Sequence, residues 1–195
     1  MGKATARPRA GIAKASAAKV GAPKTGAAKT KTAKTRATVL VRPARDVDLP
    51  AVTRLRHQAE RAHARLMPDY FRDSPPDAPG AWQPGQGPWS TVLLAESVHD
   101  ARTVLGLVAV RVVVTPRDPA MVPRRRAHVE VIVVDEGHRG AGVGTTLMQA
   151  ATAWAREREA EEMVLTVWAD NAAAEALYAT LGYQPIARIL RRKID

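Results

Sequence analysis

His128-Val129-Glu130-Val131-Ile132-Val133-Val134-Asp135-Glu136-Gly137-His138-Arg139-Gly140-Ala141-Gly142-Val143-Gly144 is the stretch on which the fold turns. Its first half is β-branched and alternating, so it reads as a strand from His128 to Val134. Its second half is glycine-rich and opens a helix from Gly142 to Arg158, with Leu147, Ala150, Ala151 and Trp154 on one face. A strand, a tight glycine turn and a helix start leave unpaired amides at a positive dipole end. That arrangement receives phosphate or pyrophosphate. Two other phosphate loops do not match. A nucleotide-hydrolase loop needs Lys and then Ser or Thr, but Val143-Gly144 follow Gly142. A dinucleotide fingerprint would need a third glycine where Thr145 stands.

Upstream, Thr38-Val39-Leu40-Val41 reads as a first strand. Asp46 or Asp48 is placed to cap a helix with Pro50 in its first turn; Val52, Leu55, Ala59, Ala62 and Leu66 form its apolar face, and Pro68 ends it. Asp69 to Pro88 mixes Pro, Gly and Asp with Tyr70, Phe71 and Trp82, and reads as a mobile segment able to pack over a pocket. Thr91–Ala95 and Thr103–Val114 read as strands joined at His99-Asp100, and Thr115 to Arg126 as a second loop. Downstream, Met163–Trp168 is expected as a fifth strand, Asn171–Leu181 as a short helix stopped by Gly182, and Ile186–Ile194 as a closing strand. The order predicts one α/β domain over residues 37–195, with a mixed central sheet flanked by helices.

The charge divides the chain in two. The net charge is +11, and residues 1–36 hold seven Lys, three Arg and no acid, so ten of those charges lie there. This Ala/Lys/Thr-rich stretch lacks the apolar content to offset ordering entropy and reads as a disordered tail. Its chemistry fits phosphate-backbone binding without base readout, a solubilising extension, a transit peptide or a target for acetylation. No cysteine is present, which excludes disulfides and thiolate chemistry. The longest apolar run, Val104 to Val110, is far short of a membrane span. His57, His63, His99 and His138 show no metal-ligand spacing, so no metal is expected.

The body from about Val41 to Ile194 resembles the GNAT superfamily of N-acetyltransferases. Arg139, Gly142 and Gly144 fill that family's coenzyme loop. Asn171, Ala174, Leu177-Tyr178 and Gly182-Tyr183 fill its second signature, and Val41-Arg42-Pro43-Ala44 with Asp48-Leu49-Pro50 looks like its opening strand and helix. The tail lies outside the resemblance and is similar to histone-like Lys/Ala-rich tails.

The resemblance implies a sheet splayed between strands four and five and acetyl-CoA as co-substrate. The CoA pyrophosphate would lie on amides of Arg139, Gly140, Ala141, Gly142, Val143, Gly144 and Thr145. The pantetheine arm would lie along Ile132, Val133 and Val134, with Trp168 and Asn171 across the cleft. Tyr178 occupies the family's thiolate-protonating position. Period two places His128, Glu130, Ile132 and Val134 on one face. Glu130 is the first choice for the base and His128 the second, and the family uses both positions. The expected reaction is acetyl transfer to a primary amine, of a small molecule or of a protein, by a cytoplasmic monomer or homodimer. The alternative is a nucleoid- or polyanion-associated protein whose tail binds DNA and whose domain senses acyl-CoA.

Overall fold

A computed structural model describes residues 37–73, 75, 87–100, 103–115 and 120–194. The tail reading and most of the Asp69–Pro88 reading therefore fall outside the described residues. Strand β1 is Val39–Pro43, helix α1 Leu49–Leu66, β2 Ser90–Ser97, β3 Val104–Val114, β4 Arg125–Val134, α2 Val143–Arg156, β5 Glu162–Leu165 and α3 Ala172–Thr180. The sheet order is β1-β2-β3-β4-β5. The pairs are antiparallel except β4–β5, which is parallel. No helix among the described residues is long and apolar enough to cross a membrane.

Each sheet face buries one helix stripe. Val52 and Leu55 of α1 pack with Leu94, Leu107, Ala109 and Val133. Leu147, Met148 and Ala151 of α2 pack on the other face with Leu93, Val108, Val110, Ala127 and Val129. The spacing of Val52 and Leu55 in α1, and of Leu147, Met148 and Ala151 in α2, is the 3.6-residue period that makes one helical face apolar.

Asp48 stands at the first position before α1 but does not cap it. Its carboxylate accepts from both Arg42 terminal nitrogens, at 2.7 and 2.8 Å, and from the Arg45 amide at 2.7 Å. Arg42 also pairs with Glu96 of β2. This hub ties β1, the turn and β2 together, and the Arg42 guanidinium holds the Asp48 carboxyl down at about 2.

Two further expectations are corrected. The closing strand does not form: residues 183–194 have no regular structure, and Ile189 and Leu190 are more than nine-tenths exposed. In a strand, Ile186, Leu190 and Ile194 would share their face with Arg188 and Arg192, so no face is apolar enough to bury. The segment instead reaches Asp69, to which Arg191 and Lys193 pair at 3.5 and 3.4 Å.

The second correction concerns β4. Val110 of β3 aligns with Val129, but Ala109 aligns with Val131, leaving Glu130 as the extra residue of a bulge. The bulge reverses the alternation. Ala127, Val129, Ile132 and Val134 face α2, and Val131 and Val133 face α1. His128, between Ala127 and Val129, stands on the α1 face, opposite Ile132 and Val134.

Candidate active site

The parallel β4–β5 pairing runs only from Arg126–Glu162 to Val129–Leu165. It stops at the bulge. From Glu130 to Val134 the outer edge of β4 has no strand partner among the described residues, so the splay begins at the bulge. A free strand edge with Ile132, Val133 and Val134 can receive an extended ligand through backbone hydrogen bonds.

The glycine loop lies at the end of that edge. Gly140 and Gly142 adopt φ values of 78° and 84°, a region that favours glycine. Gly142 occupies the helix N-cap with no side-chain cap. Thr146 returns both its amide and its hydroxyl to the Gly142 carbonyl, at 3.1 and 3.2 Å. The helix's own bonding thus begins at Thr146, and the amides of Val143, Gly144 and Thr145 form the first turn. Gly144 sits under α3: a Cβ there would lie 3.2 Å from Leu177 and 3.6 Å from Val134. Ala141 is buried, and its carbonyl accepts the Ala37 amide at 2.9 Å. Arg139 Nε donates to the Val134 carbonyl at 3.3 Å, so this side chain bridges the strand end and the loop.

Asp135 anchors the loop. It receives Arg54 and Gln58 from α1, the Gly137 amide at 3.1 Å and His138 Nδ1 at 3.2 Å. Burial pushes its carboxyl up, but the bonds from Arg54, His138 and Gln58 prevail and hold it at about 2. Its partners lie up to 81 positions away, so no local pattern could have found it. Asp48 and Asp135 both have folded values below the ordinary 3.8. Each therefore contributes stability above about pH 4 that is lost as pH falls towards 2, about 2 kcal/mol per group. Urea unfolding at pH 6 and pH 2.5 is expected to show this acid loss, and a midpoint independent of pH over that interval would contradict it.

The α1 face of the splay holds the titratable groups. Glu130 pairs with Arg111 Nε at 2.7 Å. Arg111 is the cross-strand partner of His128. Burial, then Arg111 and Arg126, lower the His128 pKa against the opposing pull of Glu130. Beyond them Trp168 packs edge-on to Phe71 with ring centroids 5.0 Å apart, and against Tyr70 at 5.6 Å. Phe71 stacks on His63 at 5.0 Å. Trp168 therefore joins an aromatic wall with the end of α1.

On the other side of β5, Asn171 caps α3 by accepting the Ala174 amide at 3.2 Å. Tyr178 is buried and packs against Tyr183 at 5.7 Å. Burial raises the Tyr178 pKa, and burial with Tyr178 pushes Tyr183 up to about 12. Both phenols keep their protons at neutral pH. Among the described residues no cluster of three or more His, Cys, Asp or Glu could hold a metal ion. A surface concavity lined by Trp89, Val112, Val114 and Arg125 lies at the opposite end of β4 from the glycine loop and contains no group able to act as a base at neutral pH.

These features define an α/β domain with a glycine turn and an uncapped helix start beside an open strand edge. Residues 56–183 match the family model described as the Acetyltransferase (GNAT) family. The chain belongs to that family. It is 46% identical over 56 residues to the uncharacterized N-acetyltransferase YobR of Bacillus subtilis, covering 29% of this chain and 23% of that one. It is 33% identical over 66 residues to N-alpha-acetyltransferase 30 of Schizosaccharomyces pombe, covering 34% and 44%. The chain thus spans less than half the length of these curated relatives. A mutant of the BH1408 protein of Bacillus halodurans superposes with a TM-score of 0.73 at 27% identity, over 80% of this chain and 99% of that one. The structure of AAC(6')-Iy with a CoA-containing bisubstrate analogue shares the fold, with a TM-score of 0.55 at 16% identity over 81% and 99%.

Proposed function

We propose that this protein transfers an acetyl group from acetyl-CoA to a primary amine within a ternary complex. The observation that carries the reading is the junction of a bulge-freed β4 edge with the uncapped amides of α2. The amides of residues 139–145 would take the pyrophosphate, and the backbone of Ile132, Val133 and Val134 would take the pantetheine arm. The thioester would then lie beside the bulge. The amine attacks the thioester carbonyl carbon from the α1 face, where Glu130 takes its proton directly or through one water. A backbone amide near Val134 donates to the oxyanion. As the C–S bond breaks, Tyr178 protonates the departing thiolate. The absence of cysteine leaves direct attack rather than an acetyl-thioenzyme. Asn171 supports the site by capping α3, the helix that carries Tyr178.

Calorimetric titration of the full-length protein with acetyl-CoA is expected to show one site per chain. Thiol release should depend on an added amine in a panel of spermidine, lysine, a lysine peptide, an N-terminal peptide and kanamycin. Absence of acetyl-CoA binding would overturn the reading. Gly142→Val is expected to weaken acetyl-CoA binding by about tenfold or more, because a β-branched residue at positive φ costs about 1–2 kcal/mol and displaces the first helical turn. An unchanged dissociation constant in the same calorimetric experiment would remove the loop from the site.

A further inference from the structure

We propose that Arg111, on β3, is a positioning residue for the proton transfer: it fixes the Glu130 carboxylate within the bulge and keeps the neighbouring His128 from competing for it. The inference rests on the acetyl-transfer reading above.

A bulge residue lies outside the regular ladder, so strand pairing constrains the direction of its side chain less than that of its neighbours. The ion pair supplies the missing constraint. Arg111 Nε meets Glu130 Oε1 at 2.7 Å, which ties the carboxylate to β3. Arg111 lies between Val110 and Val112, which face α2, so it projects onto the α1 face together with His128. The pair is half-exposed and contributes little to stability. Its effect on rate is of another kind, since a base displaced by about 1 Å costs on the order of a hundredfold.

His128 is the natural competitor. A protonated imidazole beside Glu130 would pair with the carboxylate and occupy the base. Burial, Arg111 and Arg126 together favour the neutral ring. The other charged and titratable groups that β4 and α1 bring to this face are engaged: Arg126 with Glu162, Arg56 with Glu60 at 3.4 Å, Arg54 with Asp135, and His63 stacked on Phe71. Val164, the β5 partner of His128, carries no charge.

The test uses the full-length protein and the best acceptor from the amine panel. Arg111→Gln is expected to lower kcat by about 30- to 100-fold. The KM for acetyl-CoA should stay within about twofold, because Arg111 lies off the CoA path. Arg111→Lys should restore part of the rate, since it returns the charge without the fixed geometry of the guanidinium. In the Glu130→Gln background, Arg111→Gln should add no more than about a twofold further loss. The NMR titration of His128, assigned through His128→Gln in histidine-labelled protein, should move to higher pH in Arg111→Gln. The acid limb of the rate profile should move the same way. The proposal is overturned if Arg111→Gln turns over within about threefold of the parent, if the two losses multiply, or if the His128 titration does not move. If the parent protein acetylates none of the amines, the acetyl-transfer reading fails, and the His128 titration still reports whether Arg111 acts on this face.

Discussion

Replacing Arg42 by methionine is expected to destabilise the protein by about 3–5 kcal/mol, the cost of stranding buried charges that have lost their partner. Asp48 is 8% exposed and Glu96 6%, and Arg42 pairs with both. Without the guanidinium, two carboxylates face each other away from water, and Asp48 keeps only Arg45, whose amide donates to it and whose exposed Nε lies 3.8 Å away. Building the hub contributes less than breaking it costs. Arg42 Nε is buried with no hydrogen-bond partner, so even the intact cluster incurs a desolvation penalty. Urea unfolding followed by circular dichroism measures the loss. At about 2–4 °C per kcal/mol, the thermal midpoint should fall by roughly 10 °C. A loss below 1 kcal/mol would mean that the hub is solvated in solution. Because the carboxylates can escape by protonation, part of the deficit should be recovered near pH 4 relative to pH 7.

The second large effect is chemical. Glu130→Gln is expected to lower kcat by about 10²- to 10⁴-fold while leaving acetyl-CoA affinity unchanged. Glutamine keeps the size of the side chain, and its amide oxygen can still accept from Arg111. Only the basicity is removed. The acceptor ammonium must lose a proton before attack, and at neutral pH an ordinary lysine-like amine is almost wholly charged. The rate deficit should shrink as pH rises and free amine appears in solution. His128→Gln is expected to cost much less, because Glu130 is the residue that the bulge and the Arg111 pair hold where β4 leaves β5, while His128 lies in the paired part of the strand. Steady-state rates of both variants against one amine decide the matter: a fully active Glu130→Gln together with an inactive His128→Gln would transfer the base role to His128.

These expectations came from the sequence to unequal degrees. The glycine turn that opens α2 was legible because turn and helix-start signals are local, and Gly140 and Gly142 adopt the positive φ that such a turn requires. The helix that begins after Asn171 was legible for a similar reason: its start and stop signals lie next to it. The wall of His63, Phe71, Tyr70 and Trp168 was only half visible, since its members come from α1, the chain after it and the end of β5. Arg111 was missed altogether. It reads as the residue that ends an apolar run, and nothing near it in sequence announces Glu130.

The sequence by itself determined the order of strands and helices as far as α3 and the glycine turn between β4 and α2. Each of these depends on residues within a few positions of one another. Tertiary structure alone decided which face Glu130 and His128 occupy, where β4 and β5 part, and that Ile186–Ile194 adds no strand. Those outcomes depend on register. One unpaired residue on β4, set by its alignment with Ala109 and Val110 of β3, reverses the alternation and frees the edge. A single-residue offset between strands leaves no mark in the composition or periodicity of either strand, so it could be found only once the two were paired.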